Sequence, residues 1–245
     1  MFKGFTVGAI IPAYNEEPAI YQVVSELKAL QQAGVKVFDD IVVCDNGSND
    51  KTAELAKRAG ARVIREERRG YGRACLTALL NLNKVDIVVF VDGDGSIHAT
   101  DALRIIEKIT EGYDLVMGAR LSALAEPGAL MPHQIYGNRM ITFFIYLMWG
   151  KRYRDLGPLR AITFNRLAEL EMADTSYGWT LEMQIKAIWR KIEVCELPIR
   201  YRKRVGKSKI SGSVKGSVLA MCKMLGILFV MYGRHLFTRV REGKT

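Results

Sequence analysis

The front half of the chain alternates short β-branched runs with stretches of helical periodicity. Thr6–Pro12 (TVGAIIP) is predicted to be a strand, and Glu17–Gly34 an amphipathic helix ending on glycine. Asp40–Asp45 (DIVVCD) reads as a second strand, with Asn49 or Asp50 opening a short helix that stops at Gly60. Ala61–Arg65 is a third strand, Tyr71–Leu82 a helix, and Asp86–Val91 (DIVVFV) a fourth, buried strand. Thr100 or Asp101 caps another helix, and Tyr113–Met117 makes a fifth strand. This rotation builds right-handed βαβ units, so the expected fold is α/β, a mostly parallel sheet flanked by helices.

After Arg120 the rhythm breaks. Leu121–His133 reads as a loop with two prolines, and Asn138–Trp149 (NRMITFFIYLMW) as a strongly apolar helix. Tyr177–Trp189 is a longer amphipathic helix, Ile192–Tyr201 a strand, and Arg202–Ser213 a basic loop of Gly, Ser and Lys. A C-terminal amphipathic helix is expected over 213–237. Its Val214, Val218, Met221, Leu225, Leu228 and Tyr232 step by four and three, which places them on one stripe. The expected division is a domain over 1–212 and a basic helical extension over 213–245.

Charge sharpens that division. The 245 residues hold 36 Lys+Arg and 26 Asp+Glu, a net charge of +10. Residues 1–120 carry 15 basic and 17 acidic side chains, whereas 121–245 carry 21 and 9. A near-neutral front and a strongly basic rear imply two tasks, and nucleic acid, an anionic membrane and a phosphorylated substrate all fit the rear. Four scattered cysteines (Cys44, Cys75, Cys195, Cys222) form no metal or disulfide framework, which fits a reducing cytosol. The N-terminus lacks the form of a secretory signal. Met224–Gly233 is the longest uncharged apolar run, ten residues, or about 15 Å of helix against a roughly 30 Å hydrocarbon core. The chain is therefore not expected to cross a bilayer by itself.

Chemistry concentrates where strands end. Asp92-Gly93-Asp94 follows the fourth strand, and ligands of parallel sheets bind at that edge. Two carboxylates one residue apart, between small glycines, can reach one hard cation such as Mg²⁺ or Mn²⁺ and leave positions open for phosphate oxygens. Asp-Gly is also ordinary turn chemistry. Pro12-Ala13-Tyr14-Asn15-Glu16-Glu17 ends the first strand and Asp45-Asn46-Gly47-Ser48 the second; both serve equally as helix starts. One edge carrying Asp45, Asp92 and Asp94 suits a metal-bound nucleoside diphosphate.

The series IIPAYNEE, VVCDNGSND, GYGRA from Gly70, FVDGDGS and MGAR resembles the family 2 glycosyltransferases of the GT-A fold. RDLGPLRAI from Arg154, YGWTLEMQ from Tyr177 and YRKRVGKSKISG from Tyr201 are similar to the branch of polyprenyl-phosphate sugar transferases such as dolichyl-phosphate mannose synthase. The likeness runs from Val7 to Gly212. It implies a nucleotide half over about 1–120 and an acceptor half over about 121–212. Pro12, Tyr14 and Glu16 fall where the family contacts nucleotide, and Asp45 where it contacts base or ribose. Asp92 and Asp94 match the metal-binding DxD, with Asp94 favoured as the direct ligand. Arg120 and Arg139 fall where family arginines face phosphate, and Arg202 and Arg204 flank the phosphate-binding arginine of a lid loop. Asn46 replaces the second Asp of the usual DDGS, and Ser96 stands where some relatives have a metal-contacting Gln.

The resemblance implies metal-dependent, inverting transfer of a sugar from a nucleotide-sugar donor (UDP or GDP) to polyprenyl phosphate. An anionic phosphate attacks without a general base, whereas a soluble hydroxyl acceptor requires one. Asp155 and Glu182 are the candidate bases, and each also has a plain reading, as a loop cap and as the partner of Lys186. A non-catalytic nucleotide-binding adaptor is a further alternative. The two apolar helices are expected either to be buried in the core or in a homo-oligomer, or to lie on anionic headgroups of the inner membrane face, alone or through a membrane-protein partner. Nucleic acid is disfavoured, because only Tyr201 accompanies the basic loop where stacking aromatics are needed.

Overall fold

The computed structural model describes residues 1–206 and 214–241, with side chains of the last stretch described from 220 to 237. Strand β1 (Val7–Ala13), helix α1 (Ile20–Ala29), the small strands β2 (Gln31–Gln32) and β3 (Val35–Lys36), β4 (Asp40–Asp45) and α2 (Thr52–Arg58) open the chain. They are followed by β5 (Arg62–Arg65), α3 (Tyr71–Asn81), β6 (Ile87–Phe90), α4 (Ala99–Thr110) and β7 (Leu115–Ala125). The rear half holds α5 (Pro132–Trp149), β8 (Arg160–Thr163), α6 (Phe164–Leu170), α7 (Trp179–Trp189), β9 (Val194–Tyr201) and α8 (Val214–Arg241).

Seven strands form one sheet in the order β5-β4-β1-β6-β8-β7-β9, parallel throughout except for β8. The alternation within each strand sorts side chains into two cores. Ala9, Ile11, Val43 and Val89 face α1, α2 and α4, while Ile10, Val42, Val88 and Phe90 face α3, α5, α7 and α8. Both faces are thus buried, which is why these strands read as continuous apolar runs. The sheet has the GT-A-type arrangement expected.

Several boundaries differ from expectation. The first helix is shorter because Ala33 and Gly34 take positive φ (52° and 78°) and close the β2–β3 hairpin inside the predicted helix. The predicted loop 121–133 continues β7 to Ala125, since β9 runs beside it and pairs Tyr201 with Ala125. Pro132 begins α5 six residues before the predicted start, as its missing N–H is harmless in a first turn. β8 and α6 escaped notice: four residues of RAIT carry too little periodicity to separate strand from turn.

Helix α8 packs on α5 and α7 through buried Leu228 and Met231, while Phe229, Val230 and Phe237 stand exposed. Met221 and Leu225 of the predicted stripe are half-buried with them; the side chains of Val214 and Val218 lie outside those described. Among the described residues, Ala220–Phe237 is the one stretch long and apolar enough, by length and composition, to cross a membrane. It exceeds the ten-residue run because two cations, Lys223 and Arg234, are counted within it.

Candidate active site

The carboxyl ends of β1, β4 and β6 lie together, with Ala13 opposite Asp45 and the Asn46 N–H bonded to the Ala13 carbonyl at 2.8 Å. Beyond them opens a cavity of about 480 Å³ lined by Pro12, Tyr14, Glu16, Asn46, Arg69, Tyr71, Asp92 and Asp94, among others. That is ample for a nucleotide. A second cavity of about 260 Å³ adjoins it and shares Tyr71, Asp92, Asp94, Tyr177 and Arg204. It carries Arg120 and His133 on its polar side, and Ile141 of α5 with Met221 and Met224 of α8 on its apolar side.

Asp92 and Asp94 occupy the junction. The Tyr71 hydroxyl donates to Asp92 at 3.1 Å. Burial, and then the charge of Asp94, push the Asp92 carboxyl up to about 7. Asp94 accepts from the Ser96 N–H at 2.9 Å and meets the Arg204 guanidinium at 3.0 Å. Arg204 also reaches Glu16 at 3.5 Å, so it spans the cavity mouth. Two carboxylates one residue apart, with no group of three His, Cys, Asp or Glu able to hold a metal among the described residues, would suit Mg²⁺ or Mn²⁺ whose shell is completed by phosphate oxygens and water.

The sequence profile described as Glycosyl transferase family 2 matches residues 9–168. The chain belongs to this family. Glycosyltransferase AglJ of Haloferax volcanii is 33% identical over 196 residues, 80% of this chain but 62% of AglJ, so the chain spans less than two thirds of that relative. The dolichyl-phosphate hexose transferase of the same organism is 30% identical over 215 residues, covering 87% of this chain and 90% of that protein. Glucosyl-3-phosphoglycerate synthase from Mycobacterium tuberculosis, solved with Mn²⁺, UDP-glucose and phosphoglyceric acid, superposes with a TM-score of 0.74. That likeness covers 94% of this chain and 80% of the other at 20% identity, and is one of fold.

In this family 2 glycosyltransferase, the predicted residues Pro12, Tyr14, Glu16, Asp92, Asp94, Arg120 and Arg204 line the paired cavities. The others do not. Asp45 is fully buried and turned onto the Ser48 N–H (3.1 Å) and Arg65 (3.3 Å), with Asn46 lining the wall in its place. Arg139 is exposed on α5 and lines neither cavity, whereas its neighbour Asn138 lines the second. Arg202 binds Glu26 at 2.8 Å and the Ile97 carbonyl at 2.7 Å, tying the end of β9 to α1. Lys207, Ser208 and Lys209 of the basic loop lie outside the described residues.

Both candidate bases are committed elsewhere. Asp155 receives the Arg120 Nε and Nη2 at 2.7 and 2.8 Å and the Arg120 main-chain N–H at 2.9 Å. It is 3% exposed and holds the guanidinium of Arg120, which lines the second cavity. Glu182 accepts from the N–H groups of Ala173 (3.1 Å) and Asp174 (2.8 Å) and pairs with Lys186 at 2.8 Å, lining neither cavity. The plain reading describes Glu182, whereas Asp155, expected as a loop cap, is instead the ion-pair partner of Arg120. Beneath them, fully buried Arg160 donates to Gly157 (2.9 Å), Thr180 (2.7 Å) and the Gln184 amide oxygen (3.1 Å), and so fixes the loop carrying Asp155.

Sequence reading missed Tyr71, Arg69 and Tyr177 as site residues. The signal for Tyr71 was the GYG stretch, whose two glycines let it pack without a Cβ against residues 174–176.

Proposed function

We propose that this family 2 glycosyltransferase transfers a sugar, with inversion, from a nucleotide-sugar donor to a polyprenyl phosphate at the inner membrane surface. The observation that carries the reading is the second cavity: cationic at Arg120 and Arg204, apolar between α5 and α8, and adjoining the nucleotide cavity at Asp92 and Asp94. A phosphate-headed lipid has that shape. Among the described residues, no carboxylate other than Asp92 and Asp94 lines this cavity, and Asp155 and Glu182 are engaged. A phosphate monoester, with a second pKa of about 6, is already anionic at neutral pH and needs no base. A hydroxyl acceptor would have to rely on His133 instead.

The relatives support the same direction. One is named for dolichyl phosphate, and the fold neighbour binds UDP-glucose with Mn²⁺. Tyr14, Asn46 and Arg69 flank the nucleotide, and Asp92 and Asp94 would hold a divalent cation, which supplies charge compensation to the diphosphate. Arg120, oriented by Asp155, binds the acceptor phosphate. Its oxygen forms the new bond to the anomeric carbon as the bond to the donor's diphosphate breaks, and the leaving nucleoside diphosphate keeps the electron pair. Arg204 is placed to shift from Asp94 and Glu16 onto the departing phosphate. The exposed apolar face of α8 and the basic rear half bring the enzyme to anionic lipid.

The test is a panel of UDP- and GDP-sugars with Mn²⁺, offered a short-chain polyprenyl phosphate or soluble hydroxyl acceptors. Transfer to the lipid phosphate alone is expected. Transfer only to a soluble hydroxyl, abolished in His133→Ala, overturns the acceptor assignment, and no turnover with any donor overturns the transferase reading.

A further inference from the structure

The segment 66–70 links β5 to α3 without regular structure, yet it forms one wall of the nucleotide cavity. Asn46 holds it. Its Nδ2 donates to the carbonyls of Glu66 (3.0 Å) and Arg68 (2.8 Å), and its Oδ1 accepts from the Gly70 N–H (2.8 Å). Two carbonyls require donors and one N–H requires an acceptor, and a primary amide is the short side chain that answers all three. Asn46 is nearly buried, so these bonds are shielded from water. The next anchor is the Glu66 N–H on the Asp45 carbonyl at 2.9 Å, which fixes only the start of the segment.

The segment carries Arg69, whose guanidinium lies 3.5 Å from the centroid of the Tyr14 ring. Both side chains line the cavity. A guanidinium laid on an aromatic ring makes a broad, polarisable surface on which a planar heterocycle can stack.

We propose that Asn46 is a positioning residue for the donor: it shapes the 66–70 wall so that Arg69 rests on Tyr14 and the pair receives the nucleobase. The inference rests on the nucleotide-sugar reading of this cavity. It gives a reason for the Asn at the position where the family pattern has Asp. A carboxylate there keeps the Gly70 bond but sets its second oxygen against two carbonyl oxygens, so the wall must move.

The experiment compares binding of UDP and GDP, each with Mn²⁺, to the full chain and to Asn46→Asp, with Mn²⁺-pyrophosphate as the control ligand lacking a base. Affinity for the nucleotide that the unaltered chain binds is expected to fall at least tenfold in Asn46→Asp, with pyrophosphate affinity unchanged. In transfer assays the donor KM rises by more than kcat falls. Arg69→Ala, which leaves the strut intact, is expected to show the same selective loss and decides the matter if Asn46→Asp does not fold. Unchanged nucleotide affinity in the folded variant, or equal loss of nucleotide and pyrophosphate, overturns the proposal alone. Failure of the unaltered chain to bind either nucleotide overturns the cavity assignment and this proposal with it.

Discussion

Gly72 offers the sharpest test of how the two halves of the site are joined. A Cβ on Gly72 would lie 1.9 Å from the Asp174 carbonyl oxygen, 2.8 Å from its carbon and 3.1 Å from the Ser176 nitrogen. All three are main-chain atoms, so no side chain can swing aside, and the 174–176 segment must retreat by more than about 1 Å to restore ordinary contact near 3.5 Å. That movement breaks the bonds from the Gly72 N–H to Ser176 and the Arg73 N–H to Thr175, both 3.1 Å. At about 1 kcal/mol for each bond and about 1–3 kcal/mol for overpacking, Gly72→Ala should destabilise the fold by about 3–5 kcal/mol. Tyr71, whose hydroxyl holds Asp92, and Tyr177, one residue past the seam, move with it. Urea unfolding followed by tryptophan fluorescence measures the first effect, and Mn²⁺–nucleotide binding below the transition the second. Gly226→Ala is the control: nothing lies within 4 Å of its added methyl, so it should be neutral or stabilising by up to about 1 kcal/mol. Gly72→Ala with an unchanged urea midpoint and unchanged binding would refute the tight seam.

Four further outcomes follow from named groups. Asp92 has a folded pKa raised to about 7 from 3.8, so its contribution is fully present below about pH 4 and is lost as pH rises through 7. The metal-free protein should therefore weaken relative to Asp92→Asn by on the order of 2–3 kcal/mol between pH 5 and 8; parallel pH–stability curves for the two sink the idea. Asp155→Asn strips the charge partner from half-buried Arg120 and should cost about 1.5–3 kcal/mol and weaken acceptor binding, while the pH dependence of kcat stays the same. Glu182→Gln should lower stability by about 1–3 kcal/mol with kcat within a few-fold; loss of kcat at full stability would restore Glu182 as a base. Phe229, Val230 and Phe237 are exposed, so their joint replacement by Ser should leave the fold intact and reduce sedimentation with anionic vesicles by about 100-fold, at about 1 kcal/mol per half-inserted side chain. Unchanged sedimentation counts against the membrane face.

The front sheet was legible because each strand is buried on both faces and each crossover helix has its own stripe; β1, β4 and β6 lie where their apolar runs place them. The rear half was less so, since its elements depend on partners distant in sequence. β8 is held by β6 and β7 on either side, and the end of β7 exists because β9 extends beside it. The site divides along the same line. Asp92, Asp94 and Tyr14 are placed by strand ends, which sequence reveals, whereas Asp45 is turned aside by Ser48 and Arg65 in a loop whose geometry no periodicity encodes. Asp155 and Glu182 lie outside both cavities, with partners of their own, for a related reason. A carboxylate near a cation in sequence gives no sign of whether its oxygens are taken; here the Arg120 guanidinium and N–H take those of Asp155, and main-chain N–H groups with Lys186 take those of Glu182.

Charge balance at the site ties these observations together. Arg204 is paired with Asp94 and Glu16, and Arg120 with Asp155, which holds it at the second cavity. Asp92 meanwhile is held protonated by its burial and by Asp94 as a like-charged neighbour, against the opposing hydrogen bond from Tyr71. A nucleoside diphosphate brought alone into this cavity would add negative charge to a place already balanced or in acidic excess, at a cost that burial magnifies. Brought with a divalent cation, which Asp92 and Asp94 would hold, it would meet less repulsion and would leave Arg204 free to turn toward phosphate. The net charge of +10 does not contradict this local balance, because the excess lies toward the C-terminus, in the half of the chain that carries α5 and α8. The carboxylates at the strand ends would thus favour a nucleoside diphosphate brought as its metal complex over the free anion.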